Sequence, residues 1–401
     1  KNLTQLFIPI CLETLLYMLS GMVDTLMLSS VNDQAVGAVG TANTYIGIFI
    51  IMFSVISSGM VAVMTQNIGA GRPGVAYQAR QLGLAFNAVL GIIMSLFLSL
   101  GAGPILSGVG VADALMQPAK TYLQIVGGFC ILNALIPICS SYLRAFGFSK
   151  EPLYASIIGN VINFCLNAFF LFVLHKGVAG VATATVISRI INLVIVVLLG
   201  AVLVKAKQHP ERESNRAVMG QIIRIGLPSA CETAIYNVSM TLVIRFLNQM
   251  DAQGLNVTAR SYTMQITNFS YCVGAALAQA NAIMTGWHIG AKEYDACDRG
   301  TRKAAIIGVI VAVILETMFA LCSGWIMQLF SKDPQMVSLV GKLLAIDIVL
   351  EMGRVTNLVY GQALKTSGDA VFPVVMGACF MILCSVGGTY LFGIRLGLLA
   401  V

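Results

Sequence analysis

Apolar residues fall along this chain in long runs, and the polar residues gather in the short segments between them. A bilayer crossing needs about 20 mostly apolar residues. Eleven stretches meet that need, near 6–29, 41–63, 81–107, 121–143, 153–174, 178–204, 221–247, 257–285, 304–330, 338–364 and 371–392. A twelfth begins near Leu396 and is cut at Val401; with Lys1 at the other end, both termini read as trimmed, and no cleavable signal peptide is visible. The predicted class is an all-α integral membrane protein whose twelfth helix is truncated.

Composition agrees with the pattern. Hydrophobic residues make up 58% and charged residues 10%, against roughly a quarter charged in soluble domains. The net charge of +7 does not form the single basic face that nucleic acid requires, so no nucleic-acid partner is expected. It sets topology instead. In alternate loops one side collects 15 of the 24 lysines and arginines, including Lys1, Arg72, Arg144, Lys205, Lys207 and Arg224, while the other holds such residues as Lys120, Lys176 and Lys332. The positive-inside rule then places the amino terminus and the long 205–224 loop in the cytoplasm of a plasma (inner) membrane. The ten cysteines show no C-x-x-C pair or metal-ligand spacing and read as packing residues.

The chain repeats itself. Pro9, Glu13, Thr14, Tyr17 and Ser20 recur as Pro228, Glu232, Thr233, Tyr236 and Ser239, an offset of 219. Ile68-Gly69-Ala70 recurs as Ile289-Gly290-Ala291, and Leu143-Arg144, Gly147 and Pro152 recur as Leu364-Lys365, Gly368 and Pro373, both at 221. Six spans per repeat is an even number, so the halves are parallel, pseudo-symmetric six-helix bundles. The expected domains are 1–204, a cytoplasmic linker 205–220 that reads as a hinge or tether, and 221–401. Two such bundles about a midplane cavity suit alternating access.

Ionisable groups inside a span are costly and need a partner, water or a function. The candidates are Glu13, Asp24, Arg189, Glu232, Glu316, Asp347, Glu351 and Arg354. Pro9 removes an amide from the first span and predicts a bend fifteen residues before Asp24; Pro228 is its repeat equivalent. Asn160, Asn163 and Asn167 share one helical face, suited either to ligating a hard cation or to interhelical hydrogen bonding. Thr183, Thr185, Ser188 and Arg189 follow the small-residue run 177–180, which permits close packing. Asp347, Glu351, Arg354 and Asn357 form one stripe, in which Arg354 can pair with Glu351 and Asp347 keeps spare charge. Glu316 has no evident counterpart.

With these residues in view, the chain resembles the multidrug and toxic compound extrusion family over essentially its whole length. The resemblance rests on Pro9 with Asp24, on Gln66-Asn67-Ile68-Gly69-Ala70-Gly71, on Leu143-Arg144-Ala145-Phe146-Gly147, on Asn160 and Asn163, and on the run from Gly177 to Thr185. It implies twelve helices in two bundles forming a V, and efflux of organic cations and other amphipathic compounds driven by sodium ions or protons. In one branch of the family an aspartate of the first helix, an asparagine and an acid of the fifth, and a threonine of the sixth hold the cation. Here these positions are Asp24, Asn163, Asn167 and Thr185, so the fifth-helix acid is an amide. That loss of charge weakens a sodium site and favours a proton on Asp24. A second branch uses acids of the seventh and tenth helices, where Glu232 and Asp347 lie in a different register.

The leading expectation is a secondary antiporter exporting small molecules, working as a monomer in the bilayer with no cofactor beyond its coupling ion, H+ or Na+. A lipid-linked saccharide flippase is the alternative, although it calls for more in-span basic residues than Arg189 and Arg354. No H-E-x-x-H, G-x-S-x-G or P-loop motif suggests an enzyme or direct ATP use.

Overall fold

A computed structural model describes residues 2–29, 33–108, 113–205, 209–250, 255–328 and 333–395. The expectations placed on Lys1, Lys207, Lys332 and the helix from Leu396 lie outside the described residues. Every regular element among them is helical. They are α1 (Leu3–Ser29), α2 (Asp33–Gly69), α3 (Pro73–Leu100), α4 (Ala102–Gly108), α5 (Asp113–Tyr122), α6 (Ile131–Ala145), α7 (Lys150–Ala168) and α8 (Gly177–Leu203), then α9 (Asn215–Met250), α10 (Leu255–Gly290), α11 (Tyr294–Leu321), α12 (Ser323–Met327), α13 (Pro334–Ser367) and α14 (Val371–Phe380). Wide, π-type turns prolong α5, α7 and α14.

Among the described residues, seven helices are long and apolar enough to cross a membrane, and α5 with α6, bent by 43°, makes an eighth. The other three expected spans fall in α9, α10 and α13, of 36, 36 and 34 residues. At about 1.5 Å per residue each exceeds the ~30 Å hydrocarbon thickness, and their interior charges and amides lower their apolarity. The distribution of polarity suits lipid. Leu96, Leu100, Leu198, Val202, Leu321 and Leu383 are each more than half exposed, while Asn87, Asn163, Asn167, Glu316 and Glu351 are buried. The protein is a multi-pass membrane protein.

The chain divides into two compact units, 1–227 and 228–401, with the division inside α9 just before Pro228. In the first unit the segment preceding α9 is held against α3: Arg72 Nη1 meets Glu213 at 2.5 Å, Gln78 Nε2 donates to the Glu213 carbonyl at 2.7 Å, and Arg212 Nη1 donates to the Gly74 carbonyl at 2.9 Å. The expected tether is thus docked over this stretch. A Cβ on Gly59 would overlap the Ile222 carbonyl, and one on Gly226 the Val55 carbonyl, so two glycines let α2 and α9 cross backbone to backbone.

The sequence repeat is a repeat of backbone geometry. After α2 the Gly71 and Arg72 amides donate to the Ile68 and Asn67 carbonyls at 3.1 and 2.8 Å, and after α10 the Lys292 and Glu293 amides donate to Ile289 and His288 at 3.0 and 2.8 Å. This is the cap in which a left-handed residue closes the helix, with φ of +72° at Gly71 and +61° at Lys292. The same cap ends α6 at Gly147 and α13 at Gly368.

One element departs from the repeat. At the offset of 221, α13 corresponds to α5 and α6 together, yet α13 is unbroken. Gly127 and Gly128 at the break correspond to Ile348 and Val349. Two adjacent glycines weaken the helix, and the Ile131 amide freed at the bend donates to Ser95 Oγ at 3.0 Å.

Candidate functional site

The first unit assembles the expected site from α1, α7 and α8, which pack on one another. Asn167, buried at the end of α7, donates from Nδ2 to Asp24 Oδ1 of α1 at 2.7 Å and to Asn163 Oδ1 one turn back at 3.1 Å. Asn163 Nδ2 reaches Ser188 Oγ of α8 at 3.5 Å, and Ser188 Oγ donates to the Thr185 carbonyl at 2.9 Å. Asn167 Oδ1 is buried without a hydrogen bond. Close packing of α7 and α8 follows from the small-residue run, since a Cβ on Gly180 would stand 2.7 Å from that of Phe170.

Asp24, Asn163 and Asn167 therefore meet as expected. Thr185 does not join them through its hydroxyl, which donates to the Val181 carbonyl at 2.9 Å. Ser188 makes the side-chain link instead, and Arg189 beside it places its charge within reach of Asp24. The four residues offered for sodium supply one formal charge, and the Asn167 amide hydrogens lie between two of the oxygens that the ion would need.

Pro9 sits inside α1 and leaves the Gln5 carbonyl without its helical donor, a vacancy that Ser149 Oγ fills at 2.9 Å. Glu13, one turn beyond Pro9, pairs with Arg144 at 2.5 Å and accepts from Ser156 Oγ at 3.3 Å. Its repeat equivalent Glu232 pairs with Lys365, the repeat equivalent of Arg144. Glu232, the seventh-span acid, is thus engaged by Lys365.

In the second unit the expected pair forms, with Arg354 Nη1 meeting Glu351 Oε2 at 2.6 Å. Sequence reasoning missed the third member of the group, Glu316 of α11. Its carboxylate lies with those of Asp347 and Glu351, one oxygen from each within 4.8 Å of the others. The signal in the sequence was its isolation as the one acid in an otherwise apolar stretch of α11, 304–321.

The comparisons with known proteins cover the same ground. The family model MatE matches residues 9–169 and 228–391, one block in each repeat. The uncharacterized transporter YisQ of Bacillus subtilis is 33% identical over 99% of this chain and 88% of its own length. The probable multidrug resistance protein NorM of Thermotoga maritima is 22% identical over 94% of this chain and 82% of its own. Among solved structures, a MATE crystal structure in the bent conformation superposes with a TM-score of 0.88, covering 98% of this chain and 87% of that one at 16% identity. With one family block on each half, a relative at 33% identity along its length and the same fold in solved neighbours, the chain belongs to the MatE family of membrane transporters.

Proposed function

We propose that this protein is a secondary antiporter of the plasma membrane, amino terminus in the cytoplasm, which exports amphipathic or cationic small molecules in exchange for protons carried on Asp24. The observation that carries the reading is the 2.7 Å bond from the buried Asn167 amide to Asp24 across two helices. An amide can serve both states of an acid: its N–H donates to the carboxylate, and its oxygen accepts from the protonated form. Asn167 Oδ1, buried and unbonded, supplies that second option once the amide turns over. Gain or loss of the proton thus changes what α1 and α7 exchange, on a helix whose Pro9 already interrupts the regular ladder. The drug-like substrate class comes from relatives named for multidrug resistance, and the cytoplasmic amino terminus from the positive-inside count. The flippase alternative gains nothing from the geometry, because Arg354 is paired with Glu351.

Purified protein in liposomes, given a pH gradient or a sodium gradient, tests this with a panel of cationic dyes. Dye movement should follow the pH gradient and fall to the level of empty liposomes in Asp24→Asn, with the variant still folded. Asn167→Asp should add a sodium response. Dye movement in Asp24→Asn equal to the parent across external pH, or transport driven by sodium alone in the parent, overturns the proposal.

A further inference from the structure

We propose that Arg80 of the first unit and the groove beside it bind an anionic phospholipid, with the lipid phosphate on the guanidinium and one acyl chain along the groove. Arg80 lies two turns into α3, about 10 Å past Pro73. The 28 residues of α3 span about 42 Å, so about 6 Å at each end stand outside a hydrocarbon layer of about 30 Å. Arg80 is therefore set just below the headgroups, within their reach.

A guanidinium at that depth needs a partner. Among the described residues no carboxylate lies within ion-pair distance of Arg80, and its Nε is buried without a hydrogen bond. Its contacts hold the side chain without neutralising it. The guanidinium carbon stands 4.6 Å from the ring centre of Tyr142 and 6.0 Å from that of Tyr77, and its hydrogen-bonding neighbour Cys139 offers only a thiol, a weak acceptor. The hydroxyl of Tyr142, a side chain 1% exposed, is likewise buried and unbonded. An arginine held in this way presents a rigid fork of N–H groups, which phosphate oxygens match.

The groove supplies the apolar half of the site. It encloses about 420 Å³ between α3, α6 and α8, where Arg80, Leu84 and Ala88, at successive turns of α3, share its wall with Leu135, Leu193 and Val197. From Arg80 to Ala88 is about 12 Å, so the groove leads from headgroup level towards the membrane interior. Gly200, near the end of α8, packs beside Tyr142, which sets the end of α8 and the start of α3 at one level. Val197 is exposed, and Leu198 and Val202 after it are more than half exposed, a surface suited to acyl chains.

Charge selects the occupant. A neutral or cationic amphiphile would fill the groove and leave the guanidinium unpaired, whereas an anionic lipid satisfies both. The bundle itself does not ask for the arginine: at the repeat offset of 221, Arg80 and Tyr142 become Thr301 and Ala363, and Thr301 accepts a hydrogen bond from Asn281 at 3.3 Å.

The full-length protein in detergent, titrated with phosphatidylglycerol or with phosphatidylcholine of the same acyl chains and read by native mass spectrometry, tests the site. Phosphatidylglycerol should bind about tenfold or more tightly than phosphatidylcholine, and Arg80→Gln should abolish that preference. Ala88→Phe, which fills the groove and keeps Arg80, should weaken both lipids, and it tests the site should Arg80→Gln fail to fold. Inorganic phosphate at the lipid's concentration should displace neither. Equal affinity for the two lipids in the parent, an unchanged preference in Arg80→Gln or unaltered binding in Ala88→Phe overturns the proposal. So does displacement by inorganic phosphate, which would reduce the site to one for a free anion. Asp24→Asn should bind phosphatidylglycerol as the parent does, so the result stands apart from the antiport reading.

Discussion

The duplicated units spend their buried polarity differently. In the first, one carboxylate, Asp24, is met by an amide at 2.7 Å in a chain of neutral groups that runs on to Asn163 and Ser188. In the second, three carboxylates face one another with four oxygens unbonded and one arginine at the edge. The repeat offset sharpens the contrast. Between the offsets of 219 and 221 the counterparts of Asp24 are Val243, Ile244 and Arg245, while those of the triad are Ser95, Val126 and Cys130. Neither polar group has a copy in the other half. Shared features are structural: the helix caps, and the pairs Glu13–Arg144 and Glu232–Lys365. Duplication supplied two scaffolds of one design, and the ionisable chemistry was placed separately in each.

The same contrast reaches the packing. Asn87 of α3 corresponds to Gly308 of α11, and Ala134 of α6 to Val355 of α13. In the first unit Asn87 Nδ2 donates to the Ala134 carbonyl at 3.2 Å, large residue against small; in the second, Gly308 faces Val355, small against large. The crossing is kept while the site beneath it changes.

The shared ion pairs give the strongest way to break the comparison. The first pair is the more enclosed, with side chains 11% and 15% exposed against 11% and 27% in the second. Glu13→Gln leaves Arg144 charged and partly buried, and we expect a loss of about 3 kcal/mol, with Glu232→Gln costing about 2 kcal/mol. Unfolding of the two variants in mixed micelles measures the difference; equal costs would remove the burial argument.

A smaller effect is expected from Gly308→Ala. The new methyl would meet Val355 and Leu277, so α13 must shift, at about 1–2 kcal/mol. Thermal unfolding should show the loss; an unchanged melting temperature would mean that α13 yields to the methyl without cost.

The smallest effect is a gain. Lys292 holds a φ of +61° where its repeat counterpart is Gly71. Lys292→Gly should stabilise the second unit by up to about 1 kcal/mol, because glycine enters this region without the side-chain penalty. A melting temperature unchanged or lowered would show that the Lys292 side chain offsets its backbone strain.

Much of the fold was legible because lipid imposes a simple rule. Backbone polar groups must be satisfied within each span, so apolar length alone predicts helices, and motif spacing exposes the repeat. Neighbours on one helix were legible for the same reason: Asn163 with Asn167, and Glu351 with Arg354, follow from 3.6 residues per turn. The bent α5 and α6 were read as one span at 121–143, and the break at Gly127 and Gly128 was not foreseen.

What the sequence by itself determined is the class, the duplication, the roster of in-span ionisable groups and their same-helix partners, since each depends on local periodicity or on the cost of leaving water. Only the tertiary structure decided who meets whom across helices. Asn167 reaches Asp24 over 143 positions, Lys365 engages Glu232 over 133, and Glu316 joins Asp347 and Glu351 from a separate helix. Those encounters depend on the rotation and height of one helix against the next. Contacts such as Gly180 on Phe170 and Val355 between Gly274 and Gly308 set them, and no periodicity within a single span records that register.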